Sequence, residues 1–108
     1  MAASLQPMPE VPGVEHIYVN AGGLRMHVAV AGPADGEPVV LLHGWPQHWW
    51  IWRKVMPVLA DAGYRAYAPD LRGLGWTEAP ARYSSYDKRQ FARDVVALLD
   101  ELGIDKPV

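Results

Sequence analysis

The chain has 108 residues, half of them hydrophobic and a fifth charged, with ten Lys and Arg against twelve Asp and Glu. This balance argues against a disordered polyelectrolyte. It also argues against a nucleic-acid partner, because the arginines are scattered and the aromatic residues do not alternate with them. Cysteine is absent, which excludes disulfides, thiolate catalysis and cysteine-bound zinc. We also expect no metal site and no cofactor.

The first 13 residues are predicted to form a flexible leader. Residues 1–12 contain three prolines and isolated apolar residues, without the basic start and apolar run of a secretory signal. Every unbroken apolar run is far shorter than the roughly 20 residues that cross a bilayer. We therefore expect no membrane partner, a cytoplasmic location and a folded region over residues 14–108.

Two kinds of strand are predicted at the start of this region. Apolar residues alternate from Val14 to Val30, interrupted by Asn20-Ala21-Gly22-Gly23, which is typical of a β-hairpin. The next run, Pro38-Val39-Val40-Leu41-Leu42, is apolar without alternation. That pattern indicates a strand buried on both faces of a parallel sheet.

A helix and a second buried strand follow. Apolar residues at spacings of three and four predict a helix over Trp49–Ala62, which Pro57 must kink or restart and which Gly63 ends. Tyr64–Pro69 predicts a short strand, with its proline at the exit.

The last helix is predicted over Asp87–Leu102, capped at its start by Ser85 or Asp87 and ended by Gly103. Its apolar stripe consists of Phe91, Val95, Leu98, Leu99 and Leu102. Ile104–Val108 is interpreted as the approach to another strand. This order predicts an α/β fold in which a β-hairpin joins a mostly parallel sheet through right-handed crossover helices.

The loop His43-Gly44-Trp45-Pro46 follows the buried strand, at the end of an open sheet where ligands bind. Gly44 permits a tight backbone and Pro46 fixes the turn, so the Trp45 amide could point into the cleft. A fixed amide donor stabilises an oxyanion. The alternative is a tight strand-to-helix turn with His43 hydrogen-bonded inside it.

Two motifs carry a family resemblance over Val14–Val108. They are His43-Gly44-Trp45-Pro46 after an apolar strand and the Asp-x-x-Gly-x-Gly loop at residues 70–75. Together they closely resemble the α/β-hydrolase superfamily, in its epoxide-hydrolase and haloalkane-dehalogenase branch. The resemblance implies that Trp45 supplies an oxyanion-hole amide, and that the chain is the N-terminal part of the fold, ending at the strand before the nucleophile.

The residue between Gly44 and Pro46 separates the branches. Haloalkane dehalogenases typically carry Asn there, whereas epoxide hydrolases carry an aromatic residue, so Trp45 favours an epoxide hydrolase acting on a small apolar epoxide. Esterase and haloalkane dehalogenase remain alternatives. No G-x-S-x-G elbow occurs, nor the same motif with Asp in place of Ser, so these residues lack the catalytic triad and should have no triad activity alone.

Several further residues have competing interpretations. Trp49 and Trp50 could line an apolar substrate pocket, although packing in the core is the preferred interpretation. His48 is interpreted as a solvated helix start. Asp70 and Arg72 are expected to brace their loop with local hydrogen bonds. A phosphate-binding role for Gly73 and Gly75 is rejected, because the third glycine and a following helix start are missing. The charges of the last helix, Asp94 among them, are expected on a solvated face.

A rival hypothesis treats the chain as a non-catalytic fragment. It would pair with a second chain that completes the sheet, or form a dimer through its strand edge. Unpaired edges and uncovered apolar faces favour such association.

Overall fold

The computed structural model describes residues 7–44, 47–80 and 87–108. Its elements, in chain order, are β1 (Val14–Ala21), β2 (Leu24–Ala31), β3 (Glu37–Val40), a 3₁₀ helix (Trp49–Trp52), α1 (Val55–Asp61), β4 (Tyr64–Pro69) and α2 (Lys88–Leu102).

The predicted hairpin is confirmed in β1 and β2, which pair antiparallel along their whole length. Gly22 and Gly23 form its turn with φ of 61° and 93°, a left-handed backbone that glycine adopts without a steric penalty. The Asn20 side chain accepts a hydrogen bond from the Gly23 amide at 2.8 Å. Local chemistry therefore fixes the register of the first two strands.

The four strands form one sheet in the order β1-β2-β4-β3. The pair β3 and β4 is parallel, whereas β2 runs antiparallel to β4. The predicted α/β class is confirmed, but the sheet is mixed rather than mostly parallel over the described residues. The reason is that the short connection after β2 reverses the chain, whereas the helical crossover from β3 to β4 restores the direction of β3.

The strand β3 lies at one end of this order, and the last residue of the chain extends the sheet beyond it. The Val40 amide donates to the Val108 carbonyl at 2.7 Å, and the Val108 amide donates to the Pro38 carbonyl at 2.9 Å. This alternation is the pattern of a parallel bridge at Val39. It supports the interpretation of Ile104–Val108 as the approach to a further strand.

The predicted first helix is two segments, a 3₁₀ helix and α1, separated at Arg53 and Lys54. Pro57 lies in the first turn of α1, where its missing amide hydrogen removes no helical hydrogen bond. The restart predicted from Pro57 is therefore confirmed. In the part of the chain that the structure describes, no helix is long and apolar enough to cross a bilayer.

The last helix, α2, has the predicted ends. The Asp87 carboxylate accepts from the Gln90 amide at 2.8 Å, and Gly103 ends the helix with φ of 71°. Ser85, the other cap candidate, lies outside the described residues.

Two hydrophobic cores cover the two faces of the sheet. On one face Leu98 of α2 packs against β1 and β2, and the buried members of this core are Val19, Ala21, Leu24, Met26, Val28, Val30 and Leu98. On the other face the buried members are Ala29, Ala31, Trp49, Met56, Ala66 and Ala68. Small alanines on this second face leave room for the larger Trp49 and Met56. Met8 and Val11, from the predicted leader, also pack against the second core.

Asp94 of α2 corrects the expectation of a solvated charge. Its side chain is 2% exposed and accepts from Arg72 through Nε at 2.8 Å and Nη2 at 2.7 Å. Asp94 precedes the buried Leu98 by four residues, so both side chains lie on one helix face. A carboxylate can therefore occupy the core-facing side of the helix when both of its oxygens accept hydrogen bonds from one arginine.

We predict that Gly32→Ala destabilises the chain strongly. A Cβ at Gly32, whose φ is 101°, would lie 1.9 Å from the carbonyl oxygen of Tyr64 in β4. We expect a loss of roughly 2–4 kcal/mol in the free energy of unfolding, from backbone strain and overpacking together. Urea denaturation measures it. Gly13→Ala is the control, because its φ is 80° and nothing lies within 4 Å of the added carbon. Equal losses in the two variants would contradict the prediction.

Candidate functional site

The loop after β3 is anchored at its entry by His43. The His43 side chain is buried, and its Nε2 accepts a hydrogen bond from the Leu71 amide at 2.9 Å. Since an amide can only donate, Nε2 carries no proton, and the hydrogen of the neutral ring lies on Nδ1, which donates to the Gly44 carbonyl at 3.0 Å. Burial lowers the pKa of His43, outweighing the opposing effect of that carbonyl. The geometry thus fits the expectation of a histidine hydrogen-bonded inside the turn.

The same loop is anchored at its exit. The Trp49 amide, at the start of the 3₁₀ helix, donates to Asp70 Oδ1 at 2.7 Å. His48 caps this helix, because its Nδ1 accepts from the Trp50 amide at 3.4 Å, as its predicted role at a helix start requires. Within the loop, Gly44 O accepts from the Gln47 amide at 2.8 Å. Trp45 and Pro46 lie outside the described residues, so the oxyanion amide assigned to Trp45 stays a prediction.

Asp70 stands at the centre of the site and is fully buried. Besides Trp49, its carboxylate accepts from the Trp76 amide at 2.9 Å and from His27 Nδ1 at 2.7 Å, both through Oδ2. The prediction that Asp70 braces its loop is confirmed. Arg72 was expected to act locally as well, but the structure gives it an ion pair with Asp94 of α2.

The histidine pair beside Asp70 was missed by the sequence analysis. His27 of β2 is fully buried, and its Nε2 lies 2.9 Å from Nδ1 of His16 in β1. Burial lowers the pKa of His16, and the electrostatic effect of the neighbouring His27 lowers it further. The sequence does not indicate this pair. An alternating strand pattern assigns its polar residues to a solvated face, whereas both faces of β2 are covered.

Trp49 and Trp50, the two residues considered for the pocket, differ in burial. Trp49 is fully buried in the second core, which agrees with the preferred interpretation of core packing. Trp50 is partly exposed, meets Trp49 edge to face at 5.7 Å between ring centroids, and carries the Arg53 guanidinium 4.7 Å from its own ring centroid. Trp50 is the remaining pocket candidate.

Gly75 explains the glycine-rich loop after β4. Its φ is 55°, and a Cβ there would lie 2.4 Å from Asp70 Oδ2. The backbone of this loop therefore surrounds a carboxylate of the chain itself. Among the described residues, no group of three or more His, Asp or Glu side chains is placed to hold a metal ion.

A family model described as alpha/beta hydrolase fold matches residues 37–108, which is more than half of the chain. The chain belongs to the α/β-hydrolase family. The family and fold class expected from the two motifs are thereby confirmed.

The relatives found by sequence and by structure include epoxide hydrolases. Epoxide hydrolase 3 of Siraitia grosvenorii is 48% identical over 93 residues, which is 86% of this chain and 29% of the relative. The soluble epoxide hydrolase of Corynebacterium sp. (strain C12) is also 48% identical over 93 residues, or 86% of this chain and 31% of the relative. The crystal structure of epoxide hydrolase VrEH1 from Vigna radiata matches with a TM-score of 0.85 and 44% identity, covering 92% of this chain and 32% of that one. The chain thus spans less than a third of the length of these relatives.

We predict that the free energy of unfolding falls as the pH falls below the ordinary histidine pKa of 6.5, because the pKa values of His43 and His16 are lowered in the folded state. The unfolded chain then binds protons that the folded chain resists, until the pH passes the lowered values. Replacement of His43 by Gln keeps an acceptor for the Leu71 amide but removes the titrating group. On acidification, the free energy of unfolding should therefore fall less in His43→Gln than in the wild type. Urea denaturation at about pH 7.5 and about pH 5.5 compares them. Equal losses in the two proteins would contradict a role for His43.

Proposed function

We propose that the chain is the N-terminal part of an epoxide hydrolase and supplies its oxyanion loop. The observation that carries the proposal is that buried hydrogen bonds hold the residues on both sides of Trp45 and Pro46, His43 through Leu71 and Trp49 through Asp70. Fixed residues on both sides suit an amide donor between them that must not move while charge develops. The 48% identity to proteins named epoxide hydrolases supports the substrate class.

The proposed reaction uses a nucleophile that these residues lack. An Asp carboxylate elsewhere in the enzyme attacks an epoxide carbon, the carbon–oxygen bond of the ring breaks, and an alkyl ester forms while the released ring oxygen takes up a proton. A water molecule activated by a histidine, also outside these residues, then attacks the ester carbonyl carbon. The negative charge that develops on the carbonyl oxygen is stabilised by the Trp45 amide. The diol product leaves and the carboxylate is restored, so no cofactor takes part.

The substrate that this arrangement favours is small and apolar. Trp45 and the partly exposed Trp50 are the aromatic residues that we assign to the pocket wall, with Trp49 behind Trp50 in the core. Aromatic walls favour apolar ligands because they bury a large nonpolar area on binding.

A chimera tests the proposal. Residues 7–108 are joined to the remaining part of the Corynebacterium soluble epoxide hydrolase, whose matching N-terminal region is 48% identical. We expect this protein to hydrolyse styrene oxide to its diol, measured by chromatography of the product. The same chimera without its nucleophile carboxylate is the blank, and the isolated 108-residue chain should be inactive. Turnover of a p-nitrophenyl ester but not of styrene oxide would show an esterase instead.

A second candidate function is association with another chain through uncovered apolar surface. It is supported by the exposure of large apolar side chains, with Leu42 at 47%, Val96 at 57% and Val58 at 67%. Uncovered apolar surface of this kind favours association. We expect the isolated chain to elute as a dimer or larger species in size-exclusion chromatography with light scattering, and the active chimera to elute as a monomer. A monomeric isolated chain would contradict this candidate.

A further inference from the structure

We propose that Asp70 and His27 form a positioning pair that holds the oxyanion loop in place. The pair touches neither substrate nor reacting atoms, and it acts through the backbone amides that it orients. Its catalytic consequence rests on the proposed function, because the loop matters to a reaction only if Trp45 donates to an oxyanion.

Both ends of the loop are hydrogen-bonded to two consecutive residues at the end of β4. His43, at the entry, accepts from the Leu71 amide at 2.9 Å, and the Trp49 amide, at the exit, donates to Asp70 Oδ1 at 2.7 Å. A displacement of the loop relative to the end of β4 must break at least one buried hydrogen bond. Such a loss is costly, since the orphaned group has no water to replace its partner.

The orientation of the Asp70 carboxylate is fixed by its three donors. Oδ1 accepts from Trp49, whereas Oδ2 accepts from both His27 and Trp76. These donors come from three separate segments, so rotation of the carboxylate would disrupt all three contacts. His27 closes the arrangement from β2, because its own carbonyl accepts from the Asp70 amide at 3.0 Å.

Thr77 adds a second link between the members of the pair. Its hydroxyl accepts from the His27 amide at 3.0 Å and donates to the Asp70 carbonyl at 2.6 Å. Thr77 is fully buried, as are His27 and Asp70. Main-chain and side-chain bonds thus fix the relative position of β2 and the loop after β4.

The Asp70 carboxylate occupies space that a side chain at Gly75 would fill. A Cβ at Gly75 would lie 2.4 Å from Oδ2, 2.5 Å from Cγ and 2.8 Å from Oδ1 of Asp70. The loop backbone therefore approaches the carboxylate more closely than any residue with a side chain would permit. An alanine at this position must displace the carboxylate or the loop.

Asp94 provides a matched comparison for Asp70. It is also a buried carboxylate, 2% exposed, but its hydrogen bonds go to Arg72 and Gln90. Loss of either charge should disturb folding, since both are paired in the interior. Only the loss of Asp70 should loosen the amides of Trp49 and Trp76.

The test compares Asp70→Asn with Asp94→Asn in the isolated chain and in the chimera. The Asn amide group cannot accept at every position of the carboxylate, so Trp49 or Trp76 loses its acceptor. We expect hydrogen exchange of at least one of these two amides to accelerate about tenfold more in Asp70→Asn than in Asp94→Asn. In the chimera, kcat for styrene oxide should fall about tenfold or more in Asp70→Asn, with KM changed less than about threefold, and kcat should stay within about threefold in Asp94→Asn.

Two further comparisons separate positioning from folding. Gly75→Ala keeps the carboxylate but displaces it, so it should reproduce the effects of Asp70→Asn. Gly103→Ala is its control, because its φ is 71° and nothing lies within 4 Å of the added carbon. His27→Asn retains a donor near the position of Nδ1, so it should preserve more of kcat than His27→Leu does.

The outcomes distinguish this inference from the proposed function. An inactive wild-type chimera would overturn the proposed function, and amide exchange would still decide the positioning role. Exchange of Trp49 and Trp76 that is no faster in Asp70→Asn than in Asp94→Asn would overturn the positioning pair. The same conclusion would follow from an active chimera in which the two variants lose kcat equally.

Discussion

The fully buried carboxylate of Asp70 is the constraint around which the rest of this structure is arranged. A carboxylate taken out of water loses several kcal/mol of solvation and requires hydrogen bonds in exchange. Asp70 receives them from His27 on β2, Trp49 at the start of the 3₁₀ helix and Trp76 in the loop after β4. The position of each segment is therefore set by the same charged group.

The loop after β4 also connects the two layers that cover the sheet. Asp70 bonds to Trp49, which lies in the core formed with α1, whereas Arg72 reaches Asp94 on α2, across the opposite face. Two residues that lie two positions apart in the chain therefore connect both layers to the carboxyl end of β4. Such coupling connects both ends of the loop after β3 to most of the described elements, which is what the amide donor proposed at Trp45 requires.

Much of this fold could be predicted because its signals are local. The turn at Gly22 and Gly23, the cap at Asp87 and the stop at Gly103 each act within a few residues. The misjudged position in α2, Asp94, depends instead on a partner 22 residues away. Periodicity assigns a charged residue to the solvated face because it carries no information about a distant arginine.

The candidate site shows the same limit. His43 and the motif of residues 70–75 could be identified by their types and spacing, and the structure adds the hydrogen bonds that join them. His27 could not be identified, because its function depends on strand pairing that brings β2 beside β4. Trp49 was placed ambiguously since aromatic side chains serve equally well in cores and in pockets.

The two hydrogen bonds that hold the ends of the loop after β3 share a chemical feature. Both His43 Nε2 and Asp70 Oδ1 are acceptors, and both take their hydrogen bonds from backbone amides, of Leu71 and Trp49. Because a main-chain donor is independent of the side chain it belongs to, neither anchor depends on which residue stands between Gly44 and Pro46. A substitution at that position would therefore leave the hydrogen bonds of His43 and Trp49 in place. The contacts that hold the ends of the loop and the side chain between those ends can thus vary separately, in keeping with the general finding that one fold can host several functions.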